Sequence, residues 1–201
     1  MPLTEINIDK NTRIFLWKAT ESIDFLTDKY NLTIEKDFYK MKSLLHRKQY
    51  IAKMVLIKIL KLDGLIYKNE AGKPFLKDDK YISISHSGLW VGIAISQQSI
   101  GLDIEKSQEK LVRISKKFMH KDDFGFQDKM DEKKLVWYWT AKESIYKLIG
   151  KRGLSFKEDI RIDEIDKNNS LGKAFIKKYD CKIDVFYKKI ADNYILALSK
   201  C

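Results

Sequence analysis

Four side chains in this 201-residue sequence could do chemistry together: Asp103 and Glu105, and Glu143 and Lys147. Residues two apart on a strand point the same way, so Ile100-Gly-Leu-Asp-Ile-Glu105 would present two carboxylates on one side. Residues four apart on a helix share a face, which would stack Glu143 and Lys147 one above the other. Crowded carboxylates repel unless a cation or basic group intervenes. Oxygen ligands without a His or Cys cluster suit Mg2+ or Mn2+ rather than zinc or copper. Mg2+ usually joins one or two carboxylates to substrate phosphates, so a diphosphate substrate is implied. Lys147 would then offset charge developing on a leaving group. The chemistry is metal-assisted transfer or hydrolysis at a pyrophosphate. Each pair also has a plainer reading: an edge strand blunted by charge, and a surface ion pair on a helix.

The element that must position Glu143 is Leu135–Gly150. It has no internal Gly or Pro, and Leu135, Tyr138, Trp139, Ile145 and Ile149 follow the helical period. Gly150 stands where a helix C-terminal cap is expected. Trp139 lies one turn before Glu143. The strand bearing Asp103 and Glu105 contains Gly101, which permits close approach of a ligand or of another backbone. Two further strands are expected at Tyr81–Ser85 and Trp90–Ile95, joined through His86-Ser-Gly88. His86 with Ser85 and Ser87 forms a cluster of short polar groups, and Lys73 sits in an exposed loop broken by Gly72 and Pro74. Phosphate oxygens accept from such donors.

Upstream, residues 41–62 read as a core-facing helix whose outer face carries His46, Arg47, Lys48, Lys53 and Lys58. Trp17 is expected to open an edge strand, with a helix to about Tyr30. A basic helix is expected from Lys110 to about Phe118, and strands at 173–177, 182–187 and 194–198. Val91-Gly-Ile-Ala-Ile-Ser96 and Tyr194-Ile-Leu-Ala-Leu-Ser199 echo each other. The echo hints at a duplication: an α+β fold of two similar lobes related by a pseudo-twofold axis, each a small antiparallel sheet packed with helices. The expected division is 1–100 and 101–201, with no flexible linker between.

Composition bounds the rest. An apolar fraction of 44% can build a substantial core. No stretch reaches the ~20 apolar residues of a membrane helix, and no signal-peptide pattern opens the chain. Cys181 and Cys201 form neither a disulfide framework nor a metal cluster, so a reduced cytoplasmic setting is expected. The net charge of +11 suits an anionic partner: nucleic acid, a phosphorylated small molecule or an acidic protein.

Gly72-Lys-Pro74, Ile84-Ser-His-Ser87, Gly101-Leu-Asp-Ile-Glu105 and Trp139-Thr-Ala-Lys-Glu-Ser-Ile-Tyr-Lys147, in that order, resemble the motifs of the 4′-phosphopantetheinyl transferases. The two-lobed type that activates peptide and polyketide synthetases is the better match, because chains of the small trimeric type are nearer half this length. The resemblance is concentrated in residues 72–155. It implies that coenzyme A donates its phosphopantetheine arm to a serine of an apo acyl or peptidyl carrier protein, leaving adenosine 3′,5′-bisphosphate. It further implies that Asp103, Glu105 and Glu143 hold Mg2+ (or Mn2+), directly or through water, that Glu143 is the better candidate to take the serine proton, directly or through a water, and that Lys147 contacts the transferred phosphate. Lys73, Ser85 and His86 would bind coenzyme A phosphates, with Gly72 and Pro74 shaping the nucleotide pocket. On this pattern the first lobe contacts coenzyme A, and the second holds the metal.

Two positions depart from the family pattern. Met54 stands where an Arg often meets the 3′-phosphate, leaving Lys53, Lys58 or the His46-Arg47-Lys48 run to supply that contact, of which Arg47 is the candidate. Asp122 and Asp123 stand where a Glu is usual. Acidic carrier proteins fit the basic surface, with Phe124 and Phe126 as anchors or as core; the implied enzyme is a monomer with no nucleic-acid or membrane partner. Two rivals remain at this point: a metal-dependent nuclease, which usually sets its Glu and Lys two apart on a strand, and a non-catalytic basic module that leaves the three carboxylates without a purpose.

Overall fold

The computed structural model describes residues 3–70, 72–77 and 80–200; Cys201 lies outside them. The chain opens with a hairpin, β1 (Thr4–Asp9) and β2 (Thr12–Lys18). Three helices follow: α1 (Ile23–Tyr30), α2 (Lys36–Lys40) and α3 (Leu44–Ile59). A four-stranded meander then closes the first sheet: β3 (Ile66–Lys68), β4 (Pro74–Leu76), β5 (Tyr81–Ser87) and β6 (Trp90–Ser96). The second sheet repeats the plan with β7 (Ile100–Lys106), α4 (Lys110–Ile114), α5 (Glu132–Ile149) and a meander of β8 (Ile160–Asp166), β9 (Leu171–Ile176), β10 (Cys181–Ala191) and β11 (Tyr194–Lys200).

The antiparallel orders are β1-β2-β6-β5-β4-β3 and β7-β11-β10-β9-β8. Apart from β1 they are one topology: a strand, a long helix, and a meander whose last strand returns beside the first. The fold is α+β, as expected. The echo between β6 and β11 marks equivalent strands, but its register is one residue out. Each strand leaves a two-residue turn, after Ser87 and after Ala191, so Trp90 rather than Val91 matches Tyr194. A slip of one residue exchanges the two faces of a strand. In the corrected register Val91 and Ile93 pack under α3 as Ile195 and Ala197 pack under α5.

Each long helix starts on a side-chain cap, Ser43 accepting from His46 N–H and Asp131 from Lys134 N–H. Gly150 ends α5 in the left-handed region at φ 62°, the role its position implied. Each helix covers one face of its own sheet. The opposite faces meet each other, where Ile14, Leu16 and Ala94 pack with Leu102, Ile104, Leu196 and Leu198. A Lys200–Asp9 ion pair of 2.8 Å spans the same junction.

Two expectations for local structure are corrected. Trp17 does not begin an edge strand: β2 lies between β1 and β6, and Trp17 is 4% exposed in the core. The expected helix to Phe118 ends at Ile114 and tightens into a single 3-10 turn over Ser115–Lys117.

Candidate active site

α5 lies across β7 so closely that a side chain at Gly101 would collide with Ser144 O and Leu148 N. The close approach that Gly101 permits is therefore that of a helix backbone. It brings the half-buried edge of α5, Trp139-Glu143-Lys147, over the two carboxylates of the strand. Lys147 Nζ donates to Asp103 Oδ1 at 2.7 Å, and Trp139 Nε1 donates to Glu105 Oε1 at 3.1 Å. Trp139 is itself wedged between Phe118 and Phe156, with ring centroids 5.0 and 5.5 Å away. Among the described residues Glu143 makes no side-chain hydrogen bond.

The electrostatics follow from this crowding. Burial, then the neighbouring Asp103 charge, pushes Glu105 up to about 7. Burial and Asp103 push Glu143 up to about 7 as well, with Lys147 opposing and Glu105 adding to the rise. One ammonium faces three carboxyl groups. Asp103 Oδ2 is buried without a hydrogen-bond partner. Among the described residues no three Asp, Glu, His or Cys groups enclose a common point tightly enough to hold an ion. The unpartnered oxygen and the mutual repulsion nevertheless fit a hard divalent cation, which would satisfy both.

The first lobe supplies the other wall. β5 runs alongside the free edge of β7, and two serine hydroxyls replace the missing strand. Ser83 Oγ accepts from Leu102 N–H at 2.8 Å, and Ser85 Oγ accepts from Ile104 N–H at 3.1 Å. Ser85 Oγ also donates to Asp103 Oδ1 at 2.9 Å. Lys73 reaches across from the β3–β4 loop, its ammonium donating to Leu148 O at the end of α5, and its stem lies against Gly150. A recess of about 270 Å3 opens there, walled by Lys73, Pro74, Lys147, Lys151 and Arg152. A second recess of about 330 Å3 is walled by His46, Gln49, Tyr50, Lys53 and His86. His86 stands exposed at the mouth; partial loss of solvent, then the Lys147 charge, holds it below the usual imidazole range. Lys53 is lowered by burial and then by Lys68.

Asp103, Glu105, Glu143, Lys147 and Ser85 are thus one cluster, with Lys73, Pro74 and His86 on its rims. Arg47 is not brought to it. Its guanidinium donates to the carbonyls of Met41 and Tyr39 and rests over Phe38, tying the short helix α2 to α3. Sequence reasoning passed over Ser83, Lys142 and the contact from Trp139. Trp139 had a signal, one turn from Glu143 on the same face; the other two had none. Lys142, fully buried, donates to Phe118 O, Phe156 O and Asp123 Oδ2 at 2.7–3.1 Å. Asp123 is the acidic residue that the helix needs at this point, and Asp122 is exposed.

Comparison with known proteins bears on what this cluster is. Residues 99–199, which hold every carboxylate of the site, match the 4′-phosphopantetheinyl transferase superfamily. The chain belongs to that family. Over 166 residues it is 37% identical to the 4′-phosphopantetheinyl transferase gsp of Aneurinibacillus migulanus, covering 79% of this chain and 67% of that one. It is 35% identical over 133 residues to the 4′-phosphopantetheinyl transferase Sfp of Bacillus subtilis, covering 59% and 58%. A third relative, psf-1 of Bacillus pumilus, is 30% identical over 106 residues, covering 48% and 44%. The matches thus span between under half and two thirds of these relatives' own lengths. Membership of the phosphopantetheinyl transferases, with likeness to the Sfp type, sets aside the nuclease and the basic binding module.

Proposed function

We propose that this chain transfers the 4′-phosphopantetheine arm of coenzyme A to a serine of an apo acyl or peptidyl carrier protein. The observation that carries the reading is the convergence of Asp103, Glu105, Glu143 and Lys147 at the junction of the lobes, beside a cleft lined by basic residues. Residues 1–100 contribute the coenzyme A contacts, Lys73 and Pro74 at one recess and His86, with Lys53 and His46, at the other. Residues 101–201 contribute the carboxylates.

In the reaction the serine oxygen attacks the phosphorus that bears the pantetheine arm. The P–O bond to adenosine 3′,5′-bisphosphate breaks as the new one forms, and the serine proton leaves. Glu143, the carboxyl of the trio that makes no side-chain hydrogen bond among the described residues, takes that proton, directly or through one water. Lys147 holds a phosphate oxygen and offsets the charge that builds on the leaving group. Asp103, Glu105 and Glu143 would hold Mg2+ or Mn2+, which when bound neutralises the diphosphate. Trp139 keeps Glu105 in place and, with Phe118 and Phe156, keeps water from the back of the site.

The carrier's side is supported by surface chemistry. Phe124 is 50% exposed, whereas Phe126 packs against the core of the second lobe. Close to them a recess of about 460 Å3 is walled by Met119, Phe126, Met130 and Leu135, with Lys116, Lys121 and Lys157 at its rim. It holds none of the site carboxylates. Apolar anchors beside three lysines, which outnumber the carboxylates of Asp128 and Glu158, suit an acidic protein better than a nucleotide. A monomer working in the cytoplasm belongs to the same proposal; among the described residues no helix is long and apolar enough to cross a membrane.

Intact-mass measurement of an apo carrier incubated with the protein, coenzyme A and Mg2+ tests the reading. A phosphopantetheine-sized gain that EDTA abolishes is expected. No gain on any apo carrier from the same cell would remove it.

A further inference from the structure

We propose that Ser85 is a positioning residue, holding Asp103 so that its second oxygen faces the cation, and that it does not bind phosphate. The proposal rests on the reading of the acidic trio given above. A serine hydroxyl has one proton to donate and two lone pairs that accept. In Ser85 all three are engaged: Oγ donates to Asp103 Oδ1 at 2.9 Å, accepts Ile104 N–H at 3.1 Å and accepts from Lys147 Nζ at 3.1 Å. The residue is 4% exposed. A phosphate oxygen needs a donor, and the one hydroxyl proton of Ser85 is already committed to Asp103. That commitment has a consequence at the carboxylate. Oδ1 is fixed by Ser85 and Lys147, which leaves Oδ2, buried and unpartnered, as the oxygen available to a ligand. Ligating carboxylates are oriented by outer partners of this kind.

Ser83 provides an internal control. It lies two residues earlier on β5, is equally buried, and accepts Leu102 N–H across the same junction at 2.8 Å. Both serines join the edge of β7 to the first lobe. Of the two, Ser85 alone touches a carboxylate of the site.

The experiment compares Ser85→Ala, Ser85→Cys and Ser83→Ala with the wild type. Mn2+ affinity is read by electron paramagnetic resonance with coenzyme A present, coenzyme A affinity by calorimetry in EDTA, and the melting temperature alongside. Ser85→Ala should weaken Mn2+ binding roughly 10–100-fold, the usual effect of losing an outer partner, and leave coenzyme A affinity in EDTA unchanged. Ser85→Cys, of similar size and a weaker donor, should fall between, and it reads the same quantities if the alanine variant does not fold. Ser83→Ala should lower the melting temperature without moving Mn2+ affinity. Weaker coenzyme A binding by Ser85→Ala in EDTA would restore the phosphate-ligand role and overturn the proposal. Equal loss of Mn2+ affinity in both alanine variants would make the junction, not Asp103, the cause, and would also overturn it. A wild type that binds Mn2+ while Ser85→Ala matches it sinks this proposal alone; a wild type that binds none with coenzyme A present sinks the trio reading as well.

Discussion

When the two lobes are matched by topology, a core in one becomes a cluster of carboxyl groups in the other. Lys61 follows α3 in the left-handed region at φ 56°, as Gly150 follows α5 at 62°. Counting back seven residues from each sets Met54 against Glu143; counting back three sets Lys58 against Lys147. On the strands, Lys18 pairs with Trp90 as Lys106 pairs with Tyr194, so Trp17 stands opposite Glu105 and Phe15 opposite Asp103. The first lobe fills these places with Phe15 and Trp17, each 4% exposed, and with Met54. The second fills them with three carboxyl groups and keeps two half-exposed at the junction, because buried charge without a partner is costly. The scaffold is shared; the chemistry lies in a few grafted side chains.

Breaking that contrast should have its largest effect at Glu143. Glu143→Met gives α5 the residue that α3 carries and removes the proposed proton acceptor. Carrier loading should fall by about 10²–10⁴-fold, with no loss of melting temperature, as followed by intact mass and thermal melting. Lys147→Ala should cost about 10²–10³-fold in loading rate, whereas its exposed counterpart variant, Lys58→Ala, should leave the rate unchanged. Parallel loss in both lysine variants would count against the asymmetry of the lobes. Trp139→Phe keeps the aromatic packing and removes the N–H that holds Glu105; Mg2+ affinity should fall roughly tenfold, at the low end for an outer partner.

The smallest effect is on stability against pH. Glu105 and Glu143 have folded values of about 7, above their ordinary value of 4.5. Folded protein therefore binds more protons than unfolded, and the stability these groups contribute is fully present below about 4.5 and is lost as pH rises through 7. Without metal, melting temperature should decline over that range, and Glu143→Gln should flatten the decline. A wild-type curve with the same slope as the variant's would show that Glu143 is not displaced from its ordinary value.

Much of the site was legible because it is local. Asp103 and Glu105 declare themselves on a strand, Glu143 and Lys147 on a helix, and the periodicity and Gly150 locate α5. Family resemblance joined the two pieces, which spacing alone could not do. What stayed hidden depends on contacts between distant parts of the chain. Nothing in Ser83 or Ser85 says that their hydroxyls will cap the edge of β7, and nothing in Lys142 says that it will be buried against Phe118, Asp123 and Phe156. Arg47 read as an anion binder on a basic face, but nearby carbonyls hold its guanidinium. The short strands β3 and β4 were missed because Gly72 and Pro74 between and within them signal a loop. Trp17 was misplaced because β1, polar at Asn7 and Asp9, gave little sign of being a strand outside β2.

The central claim is that the acidic trio, which the first lobe lacks, grips one divalent ion on the diphosphate of coenzyme A. Calorimetric titration of Mg2+ into coenzyme A-saturated protein tests it most directly. The account predicts one ion bound per chain in the wild type and none in Asp103→Asn or Glu143→Gln, with both variants folded. Equal binding by the wild type and both variants would contradict it.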